Sequence, residues 1–193
     1  VALDALVLAS TFGLACILGL RVFGLDKRTT WLIGAGSSIC GAAAVLATAP
    51  VAKGRAQDVA VAIATVVVFG TVGTFLYPAL YQWNAAHGWL PMDAQQYGLY
   101  VGATVHEVAQ VVAAGAAVSP EATNTAVIAK MVRVMMLAPF LLLLSAALAR
   151  SLRQEDAAAG DAAGISIPWF ALGFVAVAGI HSLGILPDAV VRM

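Results

Sequence analysis

Three side chains in one apolar run can carry a proton or exchange hydrogen bonds. They are His106, Glu107 and Gln110, within Thr104-Val-His-Glu-Val-Ala-Gln-Val-Val-Ala-Ala-Gly115. On a continuous helix, residues three and four apart share a face, so the spacing predicts all three along one flank. Imidazole and carboxyl groups ordinarily titrate near pH 6.5 and about pH 4.3. Burial disfavours charge on either, and each favours the charged form of the other if they approach. A group titrating near neutral pH is what proton coupling requires. Glu107 is the first candidate and His106 the second, with Gln110 holding either by hydrogen bond. The plainer alternative is a helix end at the lipid headgroups, where His and Glu cost little. A metal-dependent intramembrane hydrolase is a further alternative, because His106-Glu-Val-Ala-Gln110 approaches HExxH. Gln replaces the second His, however, and catalytic zinc normally takes three protein ligands. Neither a metal nor a cofactor is expected.

A second set of candidates suits an anion. Lys130 and Arg133 are three apart inside another apolar run and would share a helix face. Buried, they supply positive charge; the alternative is that their long stems snorkel to the nearer interface. Ser37, Ser38 and Thr104 offer hydroxyl donors. Cys40 and Gly41 lie beside the serines in Gly34-Ala-Gly-Ser-Ser-Ile-Cys-Gly41. Half-helix N-termini in a broken segment would add partial positive charge.

The elements that must position these residues are membrane helices. Of 193 residues, 62% are hydrophobic and only 10% charged, and mean hydropathy is +0.93. A soluble domain carries about 25% charged residues, so the composition excludes an ordinary globular surface. Zero net charge argues against a nucleic-acid partner. Cys16 and Cys40 both sit in apolar runs and suggest no disulfide framework. The expectation is an all-α polytopic membrane protein, residues 1–193 forming one transmembrane domain, with the lipid bilayer, a small anion and protons as partners. A homo-oligomer is compatible with this.

In chain order, segment one covers about 3–20, with Asp4 at its entrance, and a basic loop from Arg21 to Arg28 follows. Segment two, about 31–52, carries the Gly/Ser cluster, which reads either as a break in a helix or as small residues at a helix contact. Segment three is about 59–80, and Tyr77, Tyr81 and Trp83 resemble an interfacial belt. The loop 81–95 has no Lys or Arg. Segment four is about 96–118. Ser119-Pro120-Glu121 then reads as a helix start with Ser at the N-cap and Pro at N1. Segment five, about 123–149, holds Lys130 and Arg133, with Pro139 as a kink and Arg150 and Arg153 closing it. Residues 154–167 read as a loop, and segment six is about 169–186, with His181 near its end.

Residues 36–66 align with 102–132, pairing Gly36-Ser-Ser-Ile-Cys-Gly41 with Gly102-Ala-Thr-Val-His-Glu107; most identities are Ala or Val. Broken segments repeated in two halves point to a transporter site. If segment two dips into the membrane and returns, the loops bearing Arg21–Arg28 and Lys53/Arg55 share the cytoplasmic side, as the positive-inside rule favours. Segment four would then dip in from the opposite side. The hairpins would be inverted copies with tips near Ser37–Gly41 and Thr104–Glu107. An unwound helix that crosses fully is the rival arrangement.

Three stretches together resemble a known family. They are Phe23-Gly-Leu-Asp-Lys27 with Trp31-Leu-Ile-Gly-Ala-Gly-Ser-Ser-Ile-Cys-Gly-Ala-Ala-Ala-Val45, then Thr104–Gly115, then Lys130-Met-Val-Arg-Val-Met-Met-Leu-Ala-Pro139. They are similar to the YeiH-type family of bacterial membrane proteins, also called UPF0324 and described as sulfate exporters. The resemblance runs through nearly the whole chain. It implies a location in the bacterial inner membrane and a transporter-like fold related to the cation/proton antiporter and anion transporter clan. Family members extend further at both ends, so the resemblance also implies that this chain corresponds to the middle of a longer protein. A secondary transporter of a small anion, sulfate-like and proton-coupled, is therefore expected rather than an enzyme. The intramembrane hydrolase and a non-transporting membrane subunit are the alternatives.

Overall fold

A computed structural model describes residues 2–156 and Gly173. The segment expected at 169–186, with His181, lies outside the described residues except for Gly173, as do the side chains of Arg150 and Arg153. The described residues are helical, with no strand among them. The helices are α1 (Ala2–Ile17), α2 (Lys27–Ser38), α3 (Ala42–Thr48), α4 (Ala56–His87), α5 (Ala94–Thr104), α6 (Val108–Ala116), α7 (Pro120–Met135) and α8 (Leu137–Asp156). A π-helical turn, Leu18–Val22, closes α1. Among the described residues, three stretches are long and apolar enough to cross a membrane: Ala2–Val22, Ala56–His87 and Pro120–Leu148. The chain divides into two units, residues 1–136 and 137–193. The first holds both Gly-containing segments, and the second contributes α8.

Segment two is a hairpin. Asp26 caps α2, its carboxylate accepting from the backbone N–H groups of Arg28 (3.0 Å) and Thr29 (3.1 Å). The helix ends at Ile39, and Gly41 turns the chain at φ 67°, ψ −133°, a conformation that suits glycine. α3 then runs back along α2. A Cβ on Gly36 would stand 2.7 Å from Val45 Cγ2, and one on Gly54 would stand 2.8 Å from Leu32 Cδ1. Leu32, Val45, Ala52, Ala62 and Val66 form the core between the two arms and α4. At the open end Arg55 lies 4.0 Å from Asp26 and donates to Asp58 at 2.9 Å, while the Thr29 hydroxyl reaches Asp58 at 3.3 Å. The expected hairpin is therefore present, and the fully crossing rival is not.

Segment four repeats the design. Asp93 and Gln96 form a reciprocal capping box at the start of α5, with bonds of 2.7 and 3.2 Å. α5 stops at Thr104 and α6 begins at Val108. The return is again antiparallel: the Tyr97 hydroxyl donates to the Ala114 carbonyl at 3.2 Å, and Val101 and Val111 share one core.

The two hairpins open on opposite sides. α4 has 32 residues, about 48 Å at 1.5 Å per residue, enough to cross a bilayer. Its first turn sits at the mouth of hairpin one, through Asp58 and Thr29. Its far end sits at the mouth of hairpin two, where the rings of Tyr81 and Tyr97 meet 4.6 Å apart, tilted by 46°. Residues 81–87, expected in a loop, continue this helix. α7 starts as the sequence predicts, Ser119 Oγ accepting from Ala122 N at 3.1 Å with Pro120 at N1. It runs parallel to α5 at very short range, because Gly98 and Gly102 present no Cβ to the backbone carbonyls of Ala122 and Ala126. Segment five is interrupted for one residue, three positions before the kink expected at Pro139. α7 ends at Met135 and Met136 makes a turn, since the ring at position 139 displaces the carbonyl four residues back.

Candidate functional site

The tips of the two hairpins meet. A Cβ on Gly41 would lie 2.7 Å from Glu107 Cγ and 3.3 Å from its Oε1, so the first tip's glycine makes room for the second tip's carboxylate. Each tip is a helix end followed by a helix start. Ser38 and Ile39 end α2, Val105 ends α5, and their carbonyls have no further turn to accept from. α7 supplies the donors. The Lys130 ammonium donates to Ile39 O at 3.0 Å and to Val105 O at 2.5 Å, and Arg133 Nε donates to Ser38 O at 2.6 Å. Lys130 is 1% exposed and Arg133 2%. An unpaired buried cation costs several kcal/mol. Here the partial negative charge of two helix C-termini offsets that cost, up to about 2 kcal/mol in buried geometry. Snorkelling to an interface is excluded for both side chains by their burial and their partners.

The remaining candidates divide by what they touch. His106 and Glu107 lie in the break between α5 and α6, not along a helix flank, so the expected common face does not form. The helix stops because Val105 turns extended at ψ 140° and Glu107 at ψ 150°. Glu107 becomes the N-cap of α6, and its backbone N–H donates to Gln110 Oε1 at 3.3 Å. Gln110 also reaches α4, donating to Thr71 Oγ1 at 3.4 Å and resting on Gly70, where no Cβ could stand. The Nδ1 of His106 is buried with no hydrogen-bond partner among the described residues. The ring lines a cavity of about 370 Å³ together with Ser37 and the α4 residues Thr65, Phe69, Gly73 and Tyr77.

Two of the three expected hydroxyl donors are already committed. Ser38 Oγ donates to Ala35 O at 3.3 Å and Thr104 Oγ1 to Tyr100 O at 2.7 Å, each within its own helix. Ser37 faces the cavity, and Cys40 is a buried free thiol at the first tip. Lys130 Nζ and Arg133 Nε hold backbone carbonyls. Arg133 Nη1 is buried without a hydrogen-bond partner among the described residues. The Asp4 carboxylate, buried on α1, is a charged neighbour of Arg133. Among the described residues no three of His, Cys, Asp and Glu converge on one point.

Sequence reasoning missed the cluster at the mouth of hairpin one. There the Thr29 side chain and backbone hold the Asp26 carboxyl below its ordinary range, and Asp58 raises the Arg55 guanidinium. The readable signal was an acid three residues after Arg55, in the first turn of a helix.

The family model described as "Conserved hypothetical protein 698" matches residues 1–193. The chain is 68% identical over 191 residues to the UPF0324 membrane protein PA5383 of Pseudomonas aeruginosa, covering 99% of this chain and 54% of that protein. It is 59% identical over 193 residues to the UPF0324 inner membrane protein YeiH of Salmonella typhimurium, covering 100% of this chain and 53% of the relative. To YeiH of Escherichia coli K12 it is 58% identical over 195 residues, covering 99% and 53%. The chain thus spans about half the length of the curated relatives it matches. No solved structure matches it. With inverted hairpins carried on apolar helices and a match along its whole length, the chain belongs to the UPF0324 family of inner membrane proteins.

Proposed function

We propose that the full-length protein is a secondary transporter of a small inorganic or organic anion, sulfate-like in charge and size, with protons as the coupling ion. The substrate site is the crossing of the two hairpin tips. One observation carries this reading: a single buried cation, Lys130, is bonded to the ends of two hairpins that enter from opposite sides. Broken helices meeting midway from opposite faces are the arrangement in which a small rocking motion exposes one site to either side in turn.

Within that site Arg133 Nη1, and the cavity edge at Ser37 and His106, face the anion. Glu107, capping α6 against Gly41, carries the proton, with His106 beside it. Cys40, Gly41 and Thr104 shape the tips, and Ser38 presents its carbonyl to Arg133.

The test is uptake by proteoliposomes containing the full-length protein, with radiolabelled sulfate and a panel of small anions under an imposed pH gradient. At least one anion should accumulate, and Arg133→Gln should abolish its uptake while Arg153→Gln changes it little. A panel in which no anion moves, or equal behaviour of the two variants, sinks the proposal.

A further inference from the structure

The ammonium of Lys130 occupies a cage made of backbone. Its two described acceptors, Ile39 O and Val105 O, are peptide carbonyls, 91 and 25 residues away in sequence. Each terminates a half-helix, so each oxygen carries the partial negative charge of a helix C-terminus. Carbonyls of unwound segments at such ends are also what hold free monovalent cations in membrane proteins. The charged and titratable groups around the ammonium are His106 and Glu107 on the second tip, Cys40 on the first and Arg133 one turn along α7. Among the described residues the ammonium donates to the two carbonyls.

We infer that the tips form a monovalent-cation site whose occupant is built into the chain: Lys130 is a tethered cation that bridges α2 and α5 where a free sodium-like or alkylammonium ion would otherwise be needed. The inference goes beyond the transport reading and does not depend on it, because its readout is the stability of the protein. Two consequences follow. The natural protein needs no sodium or potassium at the crossing, since the site is full. Shortening the side chain to Cβ opens the cage to a soluble cation. The best fit is n-propylammonium, which restores the three methylenes and the charged nitrogen that Lys130→Ala removes.

The experiment compares thermal unfolding of the full-length protein in detergent for wild type, Lys130→Ala and Lys130→Met. Lys130→Ala should melt lower, and millimolar n-propylammonium should restore roughly half or more of the lost Tm, as a ligand binding only the folded state does. Neutral n-propanol should restore nothing. Lys130→Met, which fills the space without charge, should melt low and not respond. Wild type should melt identically in sodium, potassium and choline salts. A wild-type requirement for sodium would overturn the inference even if neither variant folds. So would a Lys130→Met protein as stable as wild type, or rescue of Lys130→Ala by propanol as well as by the amine.

Discussion

Gly41 and Glu107, one from each hairpin tip, lie in direct contact: a Cβ on the glycine would stand 2.7 Å from the carboxylate side chain's Cγ. The contact joins the two halves of the repeat at the point where both chains reverse, and it depends on glycine twice, for space and for a backbone at φ 67°.

Gly41→Ala should therefore destabilise the folded protein by about 2 kcal/mol from backbone strain alone, before any clash with Glu107. The check is chemical or thermal unfolding of the full-length protein beside Gly73→Ala, where a Cβ would meet nothing closer than 3.4 Å. Equal losses in the two variants would refute both the left-handed turn at Gly41 and its contact with Glu107.

Single cysteines placed at positions 27 and 53 on a cysteine-free background should be labelled from the same side, and a cysteine at 87 from the other. The Asp26–Arg55 approach of 4.0 Å fixes the first pair, and the length of α4 fixes the third position. The side carrying Lys27, Arg28, Lys53 and Arg55 should be cytoplasmic. Labelling of 27 and 53 from opposite sides would contradict the hairpin.

Asp26 is an N-cap whose carboxyl is held below its ordinary value of 3.8, first by the Thr29 side chain. A group with a depressed folded pKa binds fewer protons than the unfolded chain, so its contribution is present above the unfolded value and fades as pH falls through the folded one. Asp26→Ala should cost about 1 kcal/mol near neutral pH. Asp26→Asn, which keeps an acceptor, should cost a few tenths of that. Melts at neutral pH and near pH 3 check the sign: the gap between wild type and Asp26→Asn should shrink in acid, and a gap that widens would refute the assignment.

Glu107→Gln keeps the shape of the α6 cap and replaces the carboxylate by a neutral amide, which tests the proposed proton coupling. The variant should fold, bind the transported anion with near-wild-type affinity, and lose the dependence of uptake on an imposed pH gradient. Uptake that still follows the gradient would leave Glu107 as a structural cap only.

Much of this architecture is written in residue types. The Gly34–Gly41 cluster marks the first tip, Ser119-Pro120 marks the start of α7, and the basic loops predict which ends share a side. The partners of Lys130 and Arg133 are not written there, because their acceptors are main-chain carbonyls, which every residue possesses. The same limit explains His106 and Glu107. Their spacing fits a helix flank, but the helix breaks at Val105, and two half-helix ends meeting a cation from α7 is a tertiary fact. Asp58 beside Arg55 reads as an ordinary cap in a first helical turn, and the return of α3 is what brings Thr29 to it as well.

The bond from Lys130 to Ile39 also sets an order in time. The acceptor leaves the ribosome 91 residues before its donor. At about 5–20 residues per second, that leaves hairpin one in the membrane for roughly 5–20 s with the end of α2 unanswered. The second hairpin waits only 25 residues for the same ammonium. During synthesis, then, the first half of the repeat is the fragile one, and the arrival of α7 is the event that completes both.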